Sequence, residues 1–236
     1  MTDAALTPIF AIPFWADLLA VGIGSLQGAL FAAQFRDRKL DLLGVAIIGI
    51  ATGFGGGIMR DVLLGQVPAA LVSNWYLPVA TGSALVGMLL ERIFHRLRHL
   101  ITGLDALTIG LFGAIGTTKA LAAGLPEIPS IFVGVISAVG GSILRDLLLN
   151  VPIALMSVGS LYAVAALVGT TSLVVLVAFG ADITLAAIAC VVLTFAVRVL
   201  AVLFKWTLPE QVALLPRRAR PIAPGTGNIP TRSDDA

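Results

Sequence analysis

The sequence predicts an all-α integral membrane protein: seven transmembrane helices as two inverted three-helix repeats plus a seventh helix, with kinked second and fifth helices. Three observations predict it. Hydrophobic residues make up 58% of the chain against 12% charged, and mean hydropathy is +1.02, whereas a soluble domain carries roughly 25% charge. Apolar runs long enough to cross a bilayer, about 20 residues each, occupy approximately 14–35, 41–64, 75–94, 102–123, 128–149, 156–179 and 182–205. A pattern of glycines and charges in the first three runs recurs in the next three. The runs use most of the chain and leave no room for a soluble catalytic or nucleic-acid-binding domain, so the function lies among the helices.

Span 1 opens with Asp17, a residue type that caps helix N-termini, and carries Ser25 and Gln27 as candidate polar lining. The preceding segment, 1–13, lacks the basic start and small-residue cleavage site of a signal peptide, so span 1 is expected to remain as an uncleaved anchor. Span 2 crowds Gly49, Gly53, Gly55, Gly56 and Gly57 into nine positions. Three consecutive glycines cost roughly 3 kcal/mol of helix propensity against alanine, so a break or kink is expected. Carbonyls and amides freed by a break survive at membrane depth only where protein or a watery cavity satisfies them. The competing reading is that small residues let helices pack closely.

Span 3 starts with Trp75 and Tyr76, where interfacial aromatics gather. Span 4 opens with Asp105, again a capping type, and carries Thr117, Thr118 and Lys119 toward its far end. The lysine either snorkels to headgroups or projects into a vestibule where it gates or tunes permeation. Span 5 repeats the glycine cluster as Gly140 and Gly141, with Ser142 in the third place, and span 6 completes the second copy. Span 7 holds the lone Cys190, which excludes an intramolecular disulfide and reads as a small buried hydrophobe. Its Arg198 is expected to snorkel. Residues 207–236, with five prolines and Arg217, Arg218 and Arg220, read as a mobile, solvated, basic tail.

Asp17-x4-Gly22-x5-Gly28-x3-Ala32 recurs as Asp105-x4-Gly110-x5-Gly116-x3-Ala120, and Pro68 after span 2 recurs as Pro152 after span 5. The repeats therefore fill 14–95 and 102–180, and the seventh helix 182–206 stands outside them. Because three spans is an odd number, the second copy enters from the opposite side, and such inverted halves place a substrate or ion site near the midplane. Arg36, Arg38 and Lys39, then Arg92, Arg96 and Arg98, then Lys205 and the tail follow the odd-numbered spans. The connectors after spans 2, 4 and 6 have no Lys or Arg, so the N-terminus is expected outside and the C-terminus in the cytoplasm. This alternation explains the pI near 9.0 better than a nucleic-acid partner does.

The chemistry concentrates in Gly55-Gly56-Gly57-Ile58-Met59-Arg60-Asp61 and its echo Gly140-Gly141-Ser142-Ile143-Leu144-Arg145-Asp146. An ionised side chain costs roughly 2.5–3.5 kcal/mol or more at the bilayer centre, so retaining four points to a polar path. Adjacent residues point about 100° apart on a helix. Arg60 is therefore expected to reach Asp146, and Arg145 to reach Asp61, or each to bond freed carbonyls. The alternative is a static lock between the halves. Arg60, Arg145 and Lys119 against Asp61 and Asp146 give +1, a poor lure for a cation unless carbonyls or aspartates dominate the constriction. No Walker A motif, nucleophile elbow or metal-spaced cluster occurs, and His95 and His99 read as a solvated face. No cofactor, metal or enzymatic activity is expected.

With the doubled Gly-Gly-x-x-x-Arg-Asp motif, the Asp-x4-Gly-x5-Gly signature, Lys119-Ala120-Leu121 and the three-plus-three-plus-one layout, residues 14 to 205 resemble prokaryotic trimeric intracellular cation (TRIC) channels. That group is also described as glycine transporters. The resemblance implies a homotrimer in the inner (plasma) membrane of a prokaryote, with one pore per subunit conducting potassium or sodium. It implies glycine kinks lining an hourglass pore, with Gly55, Gly56, Gly57, Arg60, Asp61, Gly140, Gly141, Arg145 and Asp146 along the ion path. Lys119 fits the family's span-4 lysine and implies a gating role. A secondary transporter of a small amino acid such as glycine, and a structural membrane protein, remain the competing functions.

Overall fold

The computed structural model describes residues 12–35, 40–93, 98–156 and 161–207. The expectations attached to Arg36, Arg38, Lys39, His95, Arg96 and the tail from 208 onward lie outside them, as do those on the side chains of Arg92 and Arg98. Among the described residues the first repeat is α1 (Phe14–Ala33), α2 (Leu42–Leu63), a four-residue α3 (Ala69–Val72) and α4 (Tyr76–Ile93). The second is α5 (Arg98–Ala122), α6 (Glu127–Leu148), a 3-10 turn (Ala154–Met156) and α7 (Tyr162–Ala178), followed by α8 (Ile183–Leu203). Among the described residues five helices are long and apolar enough to cross a membrane, and Tyr76–Glu91 and Tyr162–Ala178 are shorter apolar helices.

The helix starts correct one expectation. α1 begins at Phe14 behind Pro13, and α5 begins at Arg98, so Asp17 and Asp105 stand within their helices and cap neither. Both are buried. The side-chain caps are other aspartates: Asp41 accepts from the Gly44 N–H at 2.7 Å, and Asp182 from the Thr184 N–H at 2.8 Å. Asp17 in the first turn of α1 and Asp105 two turns into α5 are thereby left for the protein interior.

In each repeat the first helix packs on the second, and both touch the third; α8 lies against α5 and α7. The halves meet where α2 crosses α6 and α1 crosses α5. Both α2 and α6 run as unbroken helices through their glycine clusters, so of the expected break or kink the break does not occur. The glycines serve close approach instead. A methyl group on Gly56 would overlap the Ser137 carbonyl oxygen, and one on Gly141 would overlap the Thr52 carbonyl oxygen. A Cβ on Gly55 would stand 2.9 Å from the Gly141 Cα, and one on Gly140 3.2 Å from the Gly56 Cα. Only glycine lets two backbones come this near.

The same contacts fix the direction. Thr52 meets Gly141 while Gly56 meets Ser137, so numbers rise along one helix as they fall along the other, and α2 and α6 are antiparallel. Around this crossing, Gly28 of α1 admits Thr52 and Gly116 of α5 admits Ser137, which carries the repeat symmetry outward by one layer. The two three-helix units are thus inverted relative to each other.

Gly56→Val or Gly141→Val should destabilise the folded protein by about 1–3 kcal/mol or more through overpacking. Gly82→Ala on α4, where a Cβ meets nothing within 4 Å, should leave stability unchanged or slightly raised. Thermal unfolding of the three variants in one detergent checks this; equal melting of all three would contradict the crossing as described.

Candidate functional site

The first charge cluster forms where the C-terminal end of α2 meets the first turns of α1 and α4. Arg60 is fully buried because α2 aims it inward at the crossing with α1. Its Nε donates to Asp61 Oδ1 at 2.7 Å and its Nη2 to Asp61 Oδ2 at 3.1 Å, a bidentate pair. Nη1 donates to Asp17 Oδ1 at 3.2 Å. The other oxygen of Asp17 accepts from the Tyr76 hydroxyl at 2.8 Å, and Asp61 Oδ2 accepts from the Ala69 N–H at 2.8 Å. Lys119 arrives from α5 of the other repeat, its Nζ 3.6 Å from Asp61 and 3.8 Å from Asp17.

The second cluster repeats this plan. Arg145 donates from Nε at 2.9 Å and Nη2 at 2.8 Å to Asp146 Oδ1, and its Nη1 lies 3.6 Å from Asp105. Tyr162 donates its hydroxyl to Asp105, as Tyr76 does to Asp17, and the Ala154 N–H donates to Asp146 at 2.8 Å. Gln27 of α1 donates to Asp105 at 3.2 Å. The halves differ in the fourth charge. Phe31 and Lys119 each follow the aspartate of their own helix by fourteen residues, yet Phe31 brings no charge and lies under the Arg145 guanidinium, 4.0 Å from it. The cation comes from α8: Arg198 Nη2 is 3.5 Å from Asp105, with its guanidinium 4.4 Å over the Tyr162 ring.

Several expectations are corrected here. Arg60 pairs with Asp61 and Arg145 with Asp146, within each motif and not across the twofold, because a long guanidinium curls back over the gap that separates neighbouring Cβ directions. Arg198 is buried and does not snorkel, since α8 packs on α5 and α7 and turns it toward Asp105. Tyr76 is a buried cluster member; Trp75 beside it is the exposed aromatic. The +1 sum omitted Asp17, Asp105 and Arg198: with them, each cluster sets two carboxylates against two cations. Gln27 is buried in the second cluster, while Ser25 is buried against Gly53.

The clusters differ in room. The cavity at the first, lined by Asp17, Gly57, Arg60, Asp61, Tyr76 and Phe112 among others, is about 10 Å³, close to the least that holds one water. The second borders a cavity of about 260 Å³ whose lining includes Gln27, Asp105, Arg145, Asp146, Tyr162 and Arg198. Gly55, Gly56, Gly140 and Gly141 lie between the clusters in the α2–α6 crossing, and Gly57 faces the first cavity. Among the sequence-derived site residues, the structure joins Arg60, Asp61 and Lys119 in one cluster and Arg145 and Asp146 in the other. The tyrosines were missed, although the chain has two and they occupy matching places.

The family model described as Glycine transporter matches residues 14–92 and 102–179, one match per repeat. A UPF0126 membrane protein of Deinococcus radiodurans is 34% identical over 157 residues, covering 66% of this chain and 72% of the relative. The UPF0126 inner membrane protein YadS of Escherichia coli is 32% identical over 159 residues, covering 66% of this chain and 74% of the relative. Among solved structures, a TRIC trimeric intracellular cation channel orthologue from Rhodobacter sphaeroides superposes with a TM-score of 0.75 at 30% identity, over 81% of this chain and 97% of that one. A second TRIC cation channel gives 0.74 at 30% identity, over 85% and 98%. The likeness is to multi-pass membrane channels and not to an enzyme. The chain therefore belongs to the family described as Glycine transporter and is similar both to UPF0126 membrane proteins and to TRIC cation channels.

Proposed function

We propose that the chain is a channel for monovalent cations, potassium or sodium, working as a homotrimer with one pathway through each subunit. It sits in the inner membrane with its N-terminus outside and its C-terminus in the cytoplasm. The observation that carries this reading is the pair of buried charge clusters at opposite ends of one antiparallel glycine crossing, the second opening on a 260 Å³ vestibule with two carboxylates in its wall. The likeness to solved TRIC cation channels supports the choice of permeant class.

In this reading a cation enters the vestibule past Asp105 and Asp146 and exchanges part of its hydration shell for carboxylate and carbonyl oxygens. Gly55, Gly56, Gly57, Gly140 and Gly141 form the central constriction, which opens when α2 and α6 flex or slide at their closest approach. Arg60 and Arg145 hold the aspartates in place, and Lys119 gates the first cluster by bridging Asp17 and Asp61. A second reading, a secondary transporter of glycine, is favoured by one feature: the vestibule wall carries two arginines and two aspartates, complementary to a zwitterion.

Purified protein in planar bilayers under a potassium chloride gradient should give single-channel steps that reverse near the potassium potential. Saturable, gradient-coupled glycine uptake in the same lipids without such steps would replace the channel with the transporter. Lys119→Gln removes bridges whose lysine end is partly exposed, each worth about 1 kcal/mol or less. It should raise open probability up to about fivefold with little loss of stability; an unchanged open probability would remove Lys119 from the gate. Arg60→Ala leaves two buried carboxylates short of a partner and should cost about 3–5 kcal/mol of stability, read by thermal unfolding in detergent.

A further inference from the structure

The repeats supply seven of the eight cluster charges, six of them as three matched pairs and the seventh, Lys119, without a charged counterpart. Asp17, Arg60, Asp61 and Tyr76 have counterparts in Asp105, Arg145, Asp146 and Tyr162, with the tyrosine-to-aspartate and arginine-to-neighbouring-aspartate bonds repeated and the Arg60–Asp17 bond answered by a longer Arg145–Asp105 ion pair. The exception is the position held by Lys119 in one half and Phe31 in the other. Left to the repeats alone, the second cluster would carry two carboxylates against Arg145 only. It is also the cluster that borders the roomy cavity, where a surplus negative charge would meet water and ions directly.

We infer that Arg198 of α8 is the second cluster's counterpart of Lys119, a residue that sets cation occupancy of the vestibule by neutralising Asp105. The geometry is specific. Arg198 reaches Asp105 Oδ2 at 3.5 Å, while Oδ1 of the same carboxylate is taken by Gln27 and Tyr162. Its guanidinium lies over the ring of that same tyrosine, and its side chain is part of the vestibule wall. The position is on the helix that has no counterpart in the repeat, and it answers a charge vacancy that the repeat leaves. Removing the charge and keeping the fold would turn Asp105 and Asp146 into a site with a net charge of about −1 facing the cavity. Such a focused charge raises local cation concentration severalfold at moderate salt.

This inference deepens the channel reading and rests on it for the meaning of occupancy, so its test has one arm that needs conduction and one that does not. Arg198→Gln, Arg198→Lys and the unaltered protein are compared in planar bilayers under a potassium chloride gradient. They are also compared by thermal unfolding in potassium chloride against choline chloride at equal ionic strength. Arg198→Gln should shift the potassium-over-chloride permeability ratio upward by about two- to fivefold, and should gain a potassium-specific rise in unfolding temperature that the unaltered protein lacks. Arg198→Lys should restore both toward the starting values, which a merely structural loss would not predict. Potassium-specific stabilisation of Arg198→Gln with no conduction by any of the three proteins would support the role of Arg198 and overturn the channel. Conduction by the unaltered protein, with Arg198→Gln unchanged in permeability ratio and in its response to potassium, would overturn the role of Arg198 and leave the channel standing. If Arg198→Gln fails to fold, Arg198→Met is measured in its place with the same expected directions.

Discussion

The backbone-to-backbone contact of α2 with α6 is the constraint on which the rest depends. Gly56 lies against the Ser137 carbonyl and Gly141 against the Thr52 carbonyl, with Gly55 and Gly140 filling the space between. A chain in lipid gains little from burying apolar surface between helices, because lipid tails are as apolar as leucine; close packing of small residues takes over that role. The glycines therefore have a structural reason that costs helix propensity locally and recovers it in contact. Because the contact is antiparallel, the Arg-Asp ends of α2 and α6 emerge on opposite sides of it. One crossing thus positions two charge clusters.

Each cluster is neutral by construction and hydrogen-bonded on nearly all of its oxygens. Buried ions are tolerated when partners and additional hydrogen bonds satisfy them, and they rarely add stability over an apolar core. Their retention in two matched copies fits a path for charged or hydrated species better than it fits a lock. The halves are not equivalent, however. One takes its second cation from a lysine of the opposite repeat and borders space for a single water, and the other borders about 260 Å³, with a phenylalanine at that place and an arginine from α8 completing the charge. The proposed path would therefore run from a roomy end at the second cluster to a tightly packed one at the first.

Much of this was legible in the sequence. Composition and run length located the seven helices, and the doubled glycine and Arg-Asp motif disclosed the inverted repeat before any coordinates. The partners of the charges were not legible in the same way. The argument that adjacent residues diverge by 100° holds for Cβ directions but not for the head of an arginine, which reaches Asp61 from Arg60 with ease. Asp17 and Asp105 looked like caps because capping is read from residue type near an apolar run, while the helices start earlier, at Phe14 and Arg98. Tyr76 and Tyr162 were within reach, as the chain's two tyrosines at matching places in the repeat. Arg198 was not, because a residue outside the repeat has no echo to announce it.

The claim at the centre is that each motif arginine pairs with the carboxylates of its own repeat, Arg60 with Asp61 and Asp17 and Arg145 with Asp146 and Asp105, and not across the twofold. A double-mutant cycle on thermal stability addresses it, pairing Arg60→Gln first with Asp17→Asn and then with Asp146→Asn. Residues in one network couple by about 0.5–3 kcal/mol, and distant ones add within about 0.5 kcal/mol. The account predicts coupling for Arg60 with Asp17 and additivity for Arg60 with Asp146. Strong coupling of Arg60 to Asp146, with none to Asp17, would contradict it.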